Sequence, residues 1–210
     1  MSNILDKENF HQLCDLLAER DPDLAGVLNQ YGYPPLWSRP NTFESLIHII
    51  LEQQVSLASA LAAVNKLKEK IGEIKPELLL QLSDEELKAC YFSRQKMVYA
   101  RDLAQKIVNG ELSLSNLALL ENDEIRAKLT SVKGIGNWTV DIYLLFILHH
   151  KDVFPMGDLA AVNAMKSLKK LPKEISKEEM LALTLIWKPY RTVAVMILWH
   201  FYLEERKVRQ

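Results

Sequence analysis

Two cysteines in 210 residues, Cys14 and Cys90, stand too far apart to form a Cys-x-x-Cys pair and leave too few ligands for a zinc site or an iron–sulfur cluster. Both are read as buried thiols. An excess of one charge is also missing: 26 Lys and Arg against 27 Asp and Glu give a net −1. No overall basic field exists to attract nucleic acid, so any such contact must come from a local patch and from backbone donors. No apolar run is long enough to cross a bilayer, and the opening Met-Ser-Asn-Ile-Leu-Asp has no basic n-region. These two absences predict a soluble intracellular protein with no membrane partner. No alternating run of strand length, internal repeat or low-complexity tract is found.

What remains is apolar residues at helical spacing, 49% hydrophobic overall with 25% charged, in a chain long enough for one domain or for two small lobes sharing a cleft. Residues 6–20 place Phe10, Leu13, Leu16 and Leu17 on one face, and Asp21-Pro22 opens a second helix toward Leu28. The segment Tyr31-Gly-Tyr-Pro-Pro-Leu-Trp-Ser-Arg-Pro40 forbids regular helix and reads as an extended crossing, the first lobe boundary. Asn41 is placed to cap a helix with Phe43, Leu46, Ile47, Ile50 and Leu51 as its stripe, ended by the polar interruption Glu52-Gln-Gln54. Further helices are expected from Ser56 to Gly72, after the capping box Ser83-x-x-Glu86, and from Arg94 to Val108 before Asn109-Gly110. Beyond them come residues 123–130, Asn137 to about His149, Leu159 to Leu168 behind an N-cap position at Asp158, a helix from Ser176 to Trp187, and Tyr190 to Glu204 after the break at Lys188-Pro189. The expectation is an all-α fold.

The stretch Ser131-Val-Lys-Gly-Ile-Gly-Asn-Trp-Thr-Val-Asp141 sets a Gly-x-Gly turn between two such helices. Glycine lets the backbone approach an anion closely, and the start of the second helix adds unpaired N–H groups and a positive dipole end, a combination suited to phosphate. A tight helix–helix connection with no ligand is the other reading of the same spacing.

Four motifs carry a resemblance. Phe43-Glu-x-Leu46 with Ile50-Leu-Glu-Gln-Gln-Val-Ser56, then Val132-Lys-Gly-Ile-Gly-Asn-Trp-Thr139, then Lys151-Asp-Val-Phe-Pro155 with Gly157-Asp158, and then Trp187-Lys-Pro-Tyr-Arg191 with Trp199 occur in this order. Together they resemble the helix–hairpin–helix (HhH-GPD) DNA glycosylase superfamily, within it the alkylation-repair branch of the 3-methyladenine DNA glycosylase II type. The likeness covers residues 40–202. The chain is expected to be too short for the N-terminal β-rich domain of the larger bacterial members.

The resemblance implies two helical lobes with a cleft between them, one formed by residues 42–138 and ending in the hairpin, the other by residues 1–41 plus 139–210. Asp158 matches the family's catalytic aspartate, whose carboxylate would stabilise positive charge on the deoxyribose or orient the attacking water; its plain N-cap role remains open beside this. Trp138 stands where bifunctional relatives carry a lysine, which implies no Schiff base and no strand cleavage. Trp138 and Trp199 match aromatic positions of the base pocket, where stacking and cation–π attraction favour electron-poor alkylated bases, although either ring could be core. Ile142 departs from the tyrosine of the bacterial archetype, with Tyr143 the neighbouring candidate. Gln54 matches the wedge inserted where a nucleotide has flipped out, against a reading as a polar helix end. Lys133, Gly134, Ile135 and Gly136 are implied to grip the DNA backbone, and the carbonyls of Thr130, Val132 and Ile135 to bind a monovalent cation. Lys188 and Arg191 are further candidates for phosphate contacts.

The expected function is therefore a monofunctional base-excision glycosylase releasing alkylated purines of the 3-methyladenine and 7-methylguanine type from duplex DNA. It would act without a cofactor, as a monomer, in the cytoplasm and nucleoid, or in the nucleus of a eukaryote. The alternatives are a glycosylase for deaminated or oxidised bases and a helix–hairpin–helix DNA-binding module without chemistry.

Overall fold

Ser, Thr and Asp side chains open most of the helices in the computed structural model, which describes residues 4–208; residues 1–3, where the absence of a signal sequence was partly read, and 209–210 lie outside the described residues. Among the described residues there are thirteen α-helices and one 3₁₀ turn, with no strand beyond an isolated bridge between Ile4 and His150. None is long and apolar enough to cross a membrane by itself. The chain divides into two compact units, Met1–Ser38 with Leu144–Gln210, and Arg39–Tyr143.

In the first unit, α1 (Phe10–Arg20) is followed at once by α2 (Pro22–Tyr31), because Asp21 accepts the Asp23 amide as N-cap and Pro22 occupies the first helical position. Gly32 then ends α2 and the proline-rich segment runs without regular structure, as its composition predicts.

The second unit begins with α3 (Phe43–Glu52) and α4 (Leu57–Ile71), continues through α5 (Pro76–Leu80), α6 (Asp84–Ala89), α7 (Arg94–Val108) and α8 (Leu114–Leu117), and reaches the hairpin with α9 (Asn122–Thr130) and α10 (Asn137–Phe146). Its core is the α3 stripe of Leu46, Ile47, Ile49 and Ile50, packed on α4 and α7. Each such aliphatic side chain, taken fully from water, stabilises the unit by about 1.5–3 kcal/mol. Thr42 caps α3 by accepting the Ser45 amide, where the sequence pointed to Asn41. Asn41 instead donates to the Leu114 carbonyl at 2.8 Å and accepts the Tyr143 hydroxyl at 2.9 Å. Helices α5 and α8 are too short for their periodicity to show.

The division between units falls within α10. That helix stops at Phe146, short of the expected His149, because His149 takes a left-handed φ of 54° and the His150 amide turns back to the Leu144 carbonyl at 2.9 Å.

The first unit resumes with α11 (Leu159–Leu168), α12 (Lys177–Leu183), the 3₁₀ turn Thr184–Trp187 and α13 (Arg191–Val208). Ser176 opens α12 through the predicted capping box. Residues Val193, Ala194, Val195, Met196, Ile197 and Leu198 are all fully buried, so α13 is covered on every side at this level, by α1, α2 and α11 among others.

Candidate active site

The hairpin is built by two buried aliphatics and one glycine. Val132 and Ile135 point into the core of their unit, and the Ile135 amide bonds to the Val132 carbonyl at 3.1 Å, closing the turn. Gly134 sits at φ +77°, and a Cβ added there would lie 2.1 Å from the Tyr99 ring, so both conformation and space demand glycine. Gly136 has an ordinary φ and open space around it. The Val140 amide of α10 bonds back to the Gly136 carbonyl at 3.1 Å, which puts Gly136 at the start of that helix. The hairpin thus runs into a helix N-terminus, the kind of backbone end whose dipole favours an anion.

Charged groups brace this turn. Arg126 on α9 donates to Asn137 at 3.1 Å and to Asp141 at 2.6 Å, both on α10. Burial pushes the Asp141 carboxyl above its usual value, and the Arg126 contact offsets part of that rise. The Lys133 amide bonds to Asp102 at 2.9 Å, while its side chain stays exposed. Of the carbonyls implied for a cation, that of Val132 already accepts the Ile135 amide. Gln54 is exposed just after α3, in a left-handed conformation with φ 57° that a non-glycine residue adopts at some cost. Trp138 is half-buried in the first turn of α10.

In the other unit Asp158 opens α11. Its Oδ1 accepts the Ala161 amide at 2.8 Å, the N-cap bond, and also the indole N–H of Trp199 at 3.0 Å. Two donors on one oxygen fix the plane of the carboxylate. Trp199 is 8% exposed, stacked on Phe146 with centroids 5.0 Å apart and met edge-on by Trp37 at 6.2 Å. The result is an oriented, half-buried anion beside an aromatic wall, a site able to stabilise a developing cation. Among the described residues no cluster of three His, Cys, Asp or Glu side chains could hold a metal ion.

Some expected residues lie elsewhere. Tyr143 is fully buried with its hydroxyl on Asn41, and this burial pushes its pKa up to about 12. With no exposed ring surface, Tyr143 belongs to the core in this structure. Arg191 is held by Asp152 through its Nε at 2.6 Å and a terminal nitrogen at 2.9 Å, which braces the start of α13. Trp187 is fully buried and donates to Asp21 at 2.7 Å.

Sequence reasoning missed Trp37, Phe146, Tyr99 and Gln53. Trp37 carried a usable signal, an aromatic in a stretch that could not be helix. Phe146 was hidden in a uniformly apolar helix. Tyr99 and Gln53 meet the hairpin across more than thirty positions of chain, which no local pattern reveals.

The family model described as "HhH-GPD superfamily base excision DNA repair protein" matches residues 47–189. DNA-3-methyladenine glycosylase 1 of Schizosaccharomyces pombe is 34% identical over 93% of this chain and 92% of its own length. The putative DNA-3-methyladenine glycosylase YfjP of Bacillus subtilis is 30% identical over 84% of this chain, which spans only 64% of that relative. The solved structure of the S. pombe 3-methyladenine DNA glycosylase in complex with abasic DNA is similar with a TM-score of 0.82 at 31% identity, covering 90% of this chain and 95% of that one.

Proposed function

The chain belongs to the HhH-GPD superfamily of base excision DNA repair proteins, and on that footing we propose that it is a monofunctional DNA glycosylase releasing alkylated purines of the 3-methyladenine and 7-methylguanine type from duplex DNA. The observation that carries this reading is Asp158, whose Oδ1 is held by the Ala161 amide and the Trp199 indole.

In the reaction the bond from C1′ to the purine nitrogen breaks with its electron pair leaving on the base. A purine alkylated at a ring nitrogen is already cationic, so it departs neutral and needs no proton from the protein. Positive charge then develops on the deoxyribose, where the Asp158 carboxylate stabilises it. Water adds to C1′ and loses a proton, leaving an abasic site. The oriented carboxylate supplies what this route requires, a fixed anion without reorganisation during the reaction. Trp138 stands where an amine would be needed for an imine to C1′, which supports hydrolysis without strand cleavage. The hairpin around Gly134 and Gly136 would hold a phosphate, Gln54 would fill the gap left by the flipped nucleotide, and the rings of Trp138 and Trp199 are each candidates for contact with the base. The protein would act as a monomer inside the cell.

The test is a panel of duplexes, each with one alkylated, deaminated or oxidised base, followed by alkali to reveal abasic sites. Release of the alkylated purines with strand breaks only after alkali, and no borohydride trapping, is the expected result. Release confined to deaminated or oxidised bases, or breaks without alkali and a trapped complex, overturns the corresponding part of the reading.

A further inference from the structure

The end of α3 is restrained residue by residue. The Leu51 carbonyl accepts Lys96 Nζ at 2.6 Å, and Arg39 grips the Glu52 carboxylate at 2.6 and 2.9 Å. Gln53 then turns its side-chain amide toward the hairpin. Its Nε2 donates to the Gly134 carbonyl at 2.9 Å and to the Thr139 hydroxyl at 3.0 Å, across 81 and 86 positions of chain. Both protons of the amide are thus used, one on the glycine that only glycine can occupy and one on a buried residue in the first turn of α10. The very next residue is Gln54, exposed and left-handed at φ 57°.

We infer that Gln53 is a positioning residue that locks the turn presenting Gln54 to the hairpin, so that the phosphate grip and the insertion into the duplex keep one register. This rests on the DNA-binding reading of the preceding section. The physical case is that a left-handed non-glycine residue persists only where its surroundings over-determine it, and here the three residues before it are each tied by a side-chain bond. Gln53 is the one tie that reaches the hairpin. A carboxylate of the same shape has no proton to donate, so Gln53→Glu would turn two attractive contacts on carbonyl and hydroxyl oxygens into one repulsion and one reversed bond.

The experiment compares full-length wild type, Gln53→Glu, Thr139→Val, Gln54→Ala and the Gln53→Glu/Gln54→Ala pair, with folding checked by circular dichroism and thermal melting. Binding is read on an undamaged duplex, and single-turnover excision at saturating protein on a duplex with one 7-methylguanine. Gln53→Glu is expected to bind the undamaged duplex about tenfold more weakly and to excise about tenfold more slowly, and Thr139→Val to lose less in the same direction. In the Gln54→Ala background Gln53→Glu should still weaken binding but add no further loss of rate, because the residue it places is gone. A folded Gln53→Glu with wild-type binding and rate overturns the proposal, and so does a rate loss that simply multiplies with that of Gln54→Ala. Should Gln53→Glu not fold, Thr139→Val with unchanged binding overturns it instead. Wild type that releases no base contradicts the glycosylase reading, while the binding comparison still decides the role of Gln53.

Discussion

Trp199 donates its indole N–H to Asp158 Oδ1 at 3.0 Å, the same oxygen that accepts the Ala161 amide at 2.8 Å. The ring is thereby tied to the orientation of the carboxylate. Its stack with Phe146 covers one side.

Trp199→Phe retains a ring for that stack and removes the donor together with part of the indole's bulk. Single-turnover excision is expected to fall about tenfold, since one hydrogen bond to a charged partner is lost, with a loss of stability smaller than that of Trp199→Ala. Trp199→Ala also empties the stack and is expected to cost about 3–5 kcal/mol of stability by denaturant unfolding. A rate loss in Trp199→Phe as large as that of Asp158→Asn would mean that the indole contributes by some route other than holding the carboxylate.

Gly134 and Gly136 separate two roles that a Gly-x-Gly pattern merges. At Gly134 a Cβ would stand 2.1 Å from the Tyr99 ring at φ +77°. Gly134→Ala is therefore expected to destabilise the protein by about 2 kcal/mol or more and to weaken duplex binding. Gly136→Ala meets nothing within 4 Å and should leave stability within about 0.5 kcal/mol, so any loss of duplex binding there reports crowding of the phosphate. Urea unfolding and duplex binding over a range of salt concentration check both.

Asp21 gives the fold an acid-sensitive brace. Burial raises its pKa, but hydrogen bonds from Lys169 and Trp187 and the Lys169 charge outweigh that, and the folded value lies below the ordinary 3.8. Its contribution is fully present above the unfolded pKa and is lost as pH falls through the folded one. Asp21→Asn is expected to cost about 3 kcal/mol near neutrality, because Lys169 loses its buried counter-charge and one of the two acceptor oxygens becomes an NH2 group. Its unfolding free energy should then change less than that of wild type as the pH falls below about 4. Equal acid slopes for the two proteins would remove Asp21 from this role.

The helices and their caps were legible because they are local: Ser83, Ser176, Asp21 and Asp158 each cap the helix that the sequence assigns to them. Misreadings arose where a tertiary partner decides. Asn41 looks like a cap but serves Tyr143 and Leu114, leaving the cap to Thr42. Arg191 looks like a free cation until Asp152 is seen beside it. Tyr143 is a base-contact candidate by resemblance and faces the core in space. The candidate site was legible as residue types in an order, Gly134, Gly136, Trp138, Asp158 and Trp199. The contacts that hold it, Gln53 on the hairpin and Phe146 on Trp199, join segments whose spacing carries no signal.

Asp158 caps α11 and, in the function proposed above, is the anion that stabilises the reacting sugar. Asparagine retains an oxygen for the Ala161 amide and is as good an N-cap as aspartate, so Asp158→Asn isolates the charge. The decisive measurement is single-turnover release of 7-methylguanine from duplex DNA by wild type and Asp158→Asn, with melting temperature and duplex affinity measured alongside. The account predicts a loss of roughly 10²–10⁴-fold in rate with stability and binding nearly unchanged. A variant that binds, melts and excises like wild type would contradict it.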